Sequence, residues 1–355
     1  MKKINLDKNR YESNSLLLED LFDSIDFNFD LKSIKNKSFL IFGGSGFLGS
    51  QICKALLLLN DKYNLKIKIT CVYRSEINLK KGLKKWLQHP NLLIENYDIS
   101  DKKSFKQLDY NFIIHSASIA NPIAYKNNEE KIIKSNIDGT INILNNLNSD
   151  IVEKYMYISS GEIYGNLNIS NIEESSFGAI NPRNSRSIYP LSKKLSETYT
   201  ILKSELNNLN FNIVRPFHIY GPGMNLNDGK IHSVLINSII SKKNIELFSN
   251  GQSIRTFCYI SDAVRAFLTV LFQAKSGEIY NIANTEEPIK IIDLCENIIN
   301  SQKENLNIII NNDTTYEQSP ILANIPSCEK LISLGWKPNV DLNSGFDRSI
   351  NFFRQ

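Results

Sequence analysis

Residues 38–50 read SFLIFGGSGFLGS, and their order decides the fold. Phe39 to Phe42 form a short apolar strand, Gly43, Gly46 and Gly49 follow as a GxxGxxG turn, and Gln51 to Leu59 have the apolar spacing of a helix. A glycine turn between strand and helix lets main-chain amides approach a pyrophosphate, which the positive end of the helix also attracts. Glycines serve ordinary tight turns as well, so the meaning of this one depends on the chain around it.

The alternation continues beyond it. Lys66 to Tyr73, Leu92 to Tyr97, Phe112 to Ser116, Lys154 to Ser159 and Asn212 to Arg215 read as strands, and Glu130 to Leu147 as one of the intervening helices. Strands alternating with helices predict right-handed crossovers, hence an α/β fold with a Rossmann-type doubly wound parallel sheet. After Pro216 the rhythm breaks: Gly221, Pro222 and Gly223 mark a loop, Ser233 to Ile240 a helix, and short strands lie near Glu246 and Glu278. The chain thus divides into an N-terminal helical extension (1–36), a dinucleotide-binding domain (37–215, with 257–283 returning to it) and a smaller C-terminal substrate-binding α/β domain (216–256 and 284–355). Within the extension, Ser15 to Phe22 (SLLLEDLF) reads as a short amphipathic helix for packing or oligomer contact. Ligands of open α/β sheets sit beyond the carboxyl ends of the strands, so residues just after strands are the candidates for function.

Composition narrows the class. At 355 residues, 42% hydrophobic and 22% charged, the chain has ordinary globular proportions and room for a large unit plus a smaller one. Its net charge of +4 comes from scattered lysines, which argues against nucleic acid and suits a small anionic substrate. Cys53, Cys71, Cys258, Cys295 and Cys328 include no CxxC pair, so no disulfide framework or cysteine zinc site is expected, and a reducing, cytoplasmic setting is. Glu19, Asp20 and Asp23 interrupt the N-terminus, and no apolar run reaches the roughly 18 residues of a membrane span. His89 and His232 lack metal-ligand spacing, and no metal is expected.

Tyr189 and Lys193 form YxxxK, which sets both side chains on one helical face, one turn apart. A phenol with its ordinary pKa of about 10 is a poor base, but an ammonium beside it favours the phenolate, which can take a proton from an alcohol. Ser160 and Glu162, in SSGEIYG (159–165), follow directly on an apolar strand and so emerge at the ligand-bearing edge. In VYRS (72–75), Arg74 stands near where a carboxylate normally meets the adenosine ribose. Arg74 either pairs with a 2′-phosphate, favouring NADP, or is an exposed surface arginine; NAD and NADP both stay open. Asp98 and Ile99, just after the third strand, are placed to meet the adenine, unless Asp98 serves as a helix cap.

In chain order GxxGxxG, IIHSAS (113–118), SSGEIYG, YPLSK (189–193) and RPFHIYGPG (215–223) resemble the extended short-chain dehydrogenase/reductase family of nucleotide-sugar epimerases, dehydratases and decarboxylases, from about Ser38 to Pro338. The resemblance implies an enzyme that binds NAD(P) through Gly43, Gly46, Phe47, Leu48, Gly49 and Ala117, with Tyr189 and Lys193 against the same cofactor. It implies Tyr189 as the base for the sugar 4-hydroxyl, Lys193 as its partner, Ser160 as a hydroxyl bonded to the same oxygen, and hydride passing from C4 to nicotinamide. It further implies a homodimer built on a four-helix contact, and work in surface-polysaccharide synthesis.

Within the family, Phe177 to Tyr189 (FGAINPRNSRSIY) and Tyr220 to Lys230 (YGPGMNLNDGK) are most similar to UDP-glucuronate decarboxylases. The 4,6-dehydratases offer Asp then Glu in the loop where this chain has Gly161 and Glu162, so elimination of water lacks its usual acid, whereas a 4-keto uronic acid loses CO2 without one. Tyr125 (IANPIAY, 119–125) and Arg186 match positions near the sugar; Arg255 in GQSIRTFCYISD (251–262) matches a nucleotide-phosphate arginine, whose planar fork suits phosphate. His218 stands where the family usually has Asn. Two departures concern anion binding: Gly223 replaces an arginine common in decarboxylases, and Ile321 to Pro326, before LGWKP, lacks a second phosphate-binding arginine. Dehydration, then 4-epimerisation, are the alternative reactions.

Overall fold

The computed structural model describes residues 15–27, 29–102, 105–122, 125, 128–167, 169–311 and 323–355. Residues 1–14 of the N-terminal extension, and Ile321 and Leu322 before the LGWKP segment, lie outside the described residues. The helices are α1 (Ser15–Ser24), α2 (Phe47–Tyr63), α3 (Glu76–Leu83), α4 (Glu129–Ile133), α5 (Gly139–Asn145), α6 (Ile188–Leu206), α7 (Ile231–Ser241), α8 (Ile260–Gln273), α9 (Ile291–Ser301), α10 (Glu329–Ser333) and α11 (Leu342–Arg354). The strands are β1 (Ser38–Phe42), β2 (Lys68–Tyr73), β3 (Leu92–Asn96), β4 (Phe112–His115), β5 (Lys154–Ile158), β6 (Phe211–Pro216), β7 (Ile219–Tyr220), β8 (Ile245–Leu247), β9 (Ile254–Arg255), β10 (Cys258–Tyr259), β11 (Ile279–Ile282), β12 (Ile289–Lys290), β13 (Ile308–Ile310) and β14 (Ala323–Asn324).

Among the described residues, one seven-stranded sheet runs β11-β6-β5-β4-β1-β2-β3, parallel throughout. Phe39 of β1 lies opposite Ile69 of β2 and Phe112 of β4, so the strand order reverses at β1. That reversal is where such sheets open a crevice for a ligand. Both faces of the sheet are covered, which is why Phe39 to Phe42 of β1 and Phe112 to Ile114 of β4 are apolar in succession rather than at alternate positions. Phe39 and Ile41 pack into one core with α2 and α8; Leu40 and Phe42 point the other way, into a second core with Ile143 and Leu144 of α5. Each such side chain, fully buried, contributes about 1.5–3 kcal/mol.

Helix α1 packs on α2 and α8 through Leu18 and Leu21. Its buried Asp20 accepts hydrogen bonds from the Tyr259 hydroxyl and from Arg348 of α11, both at 2.7 Å. Burial pushes the Asp20 carboxyl up to about 6, against the pull of those two partners. The short strands make small patches outside the main sheet: β7 with β10, β8 with β13, and β12-β9-β14.

Two elements differ from the pattern read in the sequence. Strand β2 starts at Lys68, because Lys66 takes a left-handed φ of 55°. The helix expected from Glu130 to Leu147 is interrupted between α4 and α5 by a π-helical turn, Lys134–Asp138. There the Asn136 carbonyl accepts from the Thr140 hydroxyl four residues on, at 2.5 Å, and from the Ser196 hydroxyl of α6, at 2.7 Å, and such side-chain bonds to helix carbonyls loosen the regular ladder. The five cysteines are buried free thiols. Among the described residues, no helix is long and apolar enough to cross a membrane, and no cluster of three or more His, Cys, Asp or Glu could hold a metal.

Candidate active site

At the carboxyl edge of the sheet lies a cleft of about 910 Å³. The chain after β1 brings Gly43 to Gly49, that after β4 brings Ser116 and Ser118, and that after β5 brings Ser159 to Glu162. Helix α6 adds Tyr189 and Lys193, while Lys230, the 246–250 segment and Arg255 form the facing wall.

At one end the turn is as tight as glycine permits. Gly43 has φ 74°, and a Cβ there would come within 2.7 Å of the Ala117 main chain; one on Gly49 would lie 2.2 Å from the Gly43 carbonyl. Gly46 caps α2 with no side-chain hydrogen bond, so the first amides of a 17-residue helix are left for an anion. A packed glycine cradle, uncapped helix amides and a long cleft at the sheet's switch point fit a bound dinucleotide.

Farther along, Ser160 caps the 3-10 turn Gly161–Tyr164, its hydroxyl accepting from the Glu162 amide at 3.2 Å. Tyr189 sits in the first turn of α6, where Pro190 has no helical hydrogen bond to lose. Its ring stacks on that of Tyr125, centroids 5.1 Å apart and planes 14° from parallel. Burial, and next the charge of Glu162, raise the Tyr189 phenol, while the Ser160 and Ser118 hydroxyls pull it back. Lys193 donates to the Ile158 carbonyl at 2.8 Å and lies 4.8 Å above the Tyr157 ring. Burial brings its amine down to about 7, opposed by Glu197 one turn on.

The facing wall is cationic. Burial and then the charge of Arg186 bring the Arg255 guanidinium down to about 10, with Glu162 opposing. Two guanidiniums that repel each other across one cleft make a site for an anion. His218 is kept neutral by burial first, then by Arg255, His232, Lys230 and Arg186, which hold it well below its usual pKa.

Of the residues singled out by sequence, Gly43, Gly46, Phe47, Leu48, Gly49, Tyr125, Ser160, Glu162, Arg186, Tyr189, Lys193, His218 and Arg255 all line this cleft. Arg74, Asp98, Ile99 and Ala117 are not part of its lining. Ala117 backs Gly43, and Ile99 is buried against Gly139. Arg74, 55% exposed, pairs with Asp98 at 3.5 Å. Asp98 also accepts from the amide and hydroxyl of Ser100.

Sequence reading missed Ser118 and Asn136. Asn136 accepts from the Ser118 hydroxyl at 2.8 Å and donates to Ser192 at 2.9 Å, tying the loop after β4 to the helix that carries Tyr189. Ser118 ends the IIHSAS motif, but Asn136 leaves no local signal, since its partner is 56 residues away.

The doubly wound sheet carries a glycine cradle that fits a dinucleotide, and Ser160, Tyr189 and Lys193 line the same cleft. The model of the family described as "NAD dependent epimerase/dehydratase family" matches residues 39–283, and the chain belongs to that family. It is 30% identical to UDP-glucuronic acid decarboxylase 6 of Arabidopsis thaliana over 319 residues, 90% of this chain and 89% of that one. It is 28% identical to UDP-glucuronic acid decarboxylase 1 of Xenopus tropicalis, over 90% of this chain and 72% of the relative. Among solved structures, UDP-glucose 4-epimerase of Thermotoga maritima with UDP-glucose superposes with a TM-score of 0.77 at 21% identity, covering 89% of this chain and 98% of that one. A dTDP-glucose 4,6-dehydratase of Streptomyces venezuelae with NAD bound gives 0.75 at 20%, covering 89% and 97%. The protein is an NAD-dependent nucleotide-sugar modifying enzyme.

Proposed function

We propose that the chain decarboxylates UDP-glucuronate through a 4-keto intermediate. The observation that carries this is the contact behind Gly161: a Cβ there would lie 2.5 Å from the Phe217 ring. The position that would supply an acid to expel the sugar 6-hydroxyl therefore has no room for a side chain. Decarboxylation needs no such acid.

Gly43 to Gly49 would hold the dinucleotide, with Lys193 beside it; when bound, nicotinamide would accept hydride from the sugar C4 and give it back once CO2 has left, so that the net change is loss of CO2 alone. Tyr189 takes the proton from the 4-hydroxyl, with Ser160 bonded to the same oxygen. The 4-ketone then lets the C5–C6 bond break. CO2 leaves, and the electron pair moves onto O4, where the Tyr189 and Ser160 hydroxyls stabilise it. Glu162 supports delivery of a proton to C5 in place of the lost carboxylate, Tyr189 gives its proton back to O4 as C4 regains hydride, and Arg186 and Arg255 hold the anionic groups of the substrate. Purified protein incubated in turn with UDP-glucuronate, dTDP-glucose, CDP-glucose and GDP-mannose is expected to change only the first, which loses the mass of carbon dioxide. Loss of the mass of water from a neutral hexose would replace this reaction with dehydration, and an unchanged mass with a shifted retention time would replace it with epimerisation.

NAD is the cofactor this reading favours over NADP. Arg74 already faces Asp98, so the corner where a 2′-phosphate would lie carries a carboxylate as well as a guanidinium. Fluorescence titration should show NADH binding at least about tenfold more tightly than NADPH, and Asp98→Asn should narrow the gap. Equal affinities in the unaltered protein would count against the assignment.

A homodimer is supported by α6, whose Leu191, Leu195, Leu202 and Leu206 are 39 to 80% exposed along one stripe of the helix. Light scattering should read a dimer for the unaltered chain and a monomer for Leu195→Glu; a monomer for both would remove the proposal.

A further inference from the structure

Behind the cleft lies a buried ion pair with no place in the reaction just described. Glu197 sits one helical turn beyond Lys193, and Arg215 lies next to the end of β6; their side chains are 5% and 7% exposed. The pair is bidentate: Arg215 donates from Nε to Glu197 Oε1 at 3.1 Å and from a terminal nitrogen to Oε2 at 2.7 Å. Its other terminal nitrogen donates to the Tyr164 hydroxyl at 2.7 Å and to the Glu174 carbonyl at 2.8 Å. The guanidinium also lies 4.8 Å over the Tyr164 ring. The Tyr164 hydroxyl in turn donates to Asn281 of β11 at 2.6 Å.

Replacing so buried an ion pair by apolar side chains is often neutral or stabilising, so stability is a poor account of its presence. Its connections supply a better one. Tyr164 ends the turn that begins at Ser160 and contains Glu162; Glu197 belongs to the helix that carries Tyr189 and Lys193; Arg215 precedes the Pro216 to Ile219 stretch of the cleft wall. We propose that Glu197, Arg215 and Tyr164 are positioning residues for the reaction, one buried cluster that fixes the Ser160 and Glu162 loop against the Tyr189 and Lys193 helix and keeps a carboxylate within the field of Lys193.

The groups facing Lys193 are Glu197 from its own helix, His115 from β4 and Tyr157 from β5. His115 is held neutral, by burial first and then by Lys193 itself, and burial raises the Tyr157 phenol. Glu197 is therefore the anion that favours the ammonium. Taking its charge away while Arg215 keeps its own makes the ammonium harder to hold.

The test has two arms, and only the kinetic one rests on the proposed substrate. In the first, Lys193 is titrated by NMR of protein grown on 13C-labelled lysine, following its Cε signal, with Lys193→Met to assign it. Glu197→Gln is expected to lower the Lys193 midpoint by about one pH unit or more, and Glu197→Asp to restore most of it. In the second, Glu197→Gln and Tyr164→Phe are each expected to cut kcat for UDP-glucuronate at least about tenfold while KM moves less than about threefold. Tyr164→Phe keeps both charges and should leave the lysine midpoint in place, so it tests the loop tether should Glu197→Gln fold poorly. A midpoint unmoved in folded Glu197→Gln would overturn the electrostatic role, and an unchanged kcat in Tyr164→Phe the positioning role. Were UDP-glucuronate not turned over at all, the decarboxylase reading would fall while the titration still judged Glu197.

Discussion

Tyr189→Phe is expected to lower kcat for UDP-glucuronate by about 10²- to 10⁴-fold, the usual worth of a positioned general base, with KM within about threefold of the unaltered enzyme. The change removes one oxygen and keeps the ring, so the stack on Tyr125 at 5.1 Å survives. Ser160 and Ser118, which stabilise the ionised phenol, lose a partner, and each retains one elsewhere, Ser160 through the Glu162 amide and Ser118 through Asn136. The substrate's anionic groups would still meet Arg186 and Arg255, which is why binding should hold while chemistry fails. The pattern to look for is thus kcat and kcat/KM falling together, the sign of an interaction made only in the transition state. Turnover left intact in Tyr189→Phe, or a loss confined to KM, would remove the phenol from the reaction and with it the proposed mechanism.

How much of this could be read from the sequence depends on the range of the interactions. The GxxGxxG turn, the buried strands and YxxxK are local patterns, and the structure brings their side chains to one cleft, because strand ends in a parallel sheet must converge on one edge. The π turn before α5 was hidden, since Asn136 meets Ser192 and Ser196 through the fold, 56 and 60 residues away. Arg74 could be an NADP reader or a surface cation by sequence; only Asp98, 24 positions later, gives it a partner. Gly161 reads as a missing acid, and its physical reason, the Phe217 ring, lies on another strand's end. The two-residue strands β7, β9, β10, β12 and β14 are too short to carry a period at all.

Lys193→Met is expected to lose activity on the same scale as Tyr189→Phe and yet to be the more stable protein. The amine is held by one carbonyl and a ring, and burial takes its pKa from 10.5 to about 7. A folded state that binds its proton more weakly than the unfolded chain is penalised whenever the unfolded chain is protonated. Below pH ~7 that penalty is complete, on the order of 3–5 kcal/mol; between about 7 and 10.5, where the folded amine is neutral and the unfolded one still charged, it fades, so stability rises with pH across that window. Methionine fills nearly the same volume without charge, at the cost of leaving the Ile158 carbonyl without its donor, about 1–3 kcal/mol. The net gain should be about 1–3 kcal/mol near pH 6.5, shrinking toward pH 9, and it should appear as a higher Tm at the lower pH. Thermal melts of both proteins at the two pH values decide it: a lower Tm for Lys193→Met at pH 6.5, or the same rise of stability with pH in both proteins, would mean that the lysine is not held at a cost to the fold. The expected result would place strain where the chemistry needs it, since an amine that titrates near neutrality responds to small changes in its surroundings, and those surroundings are set by Glu197 and the helix that carries them both.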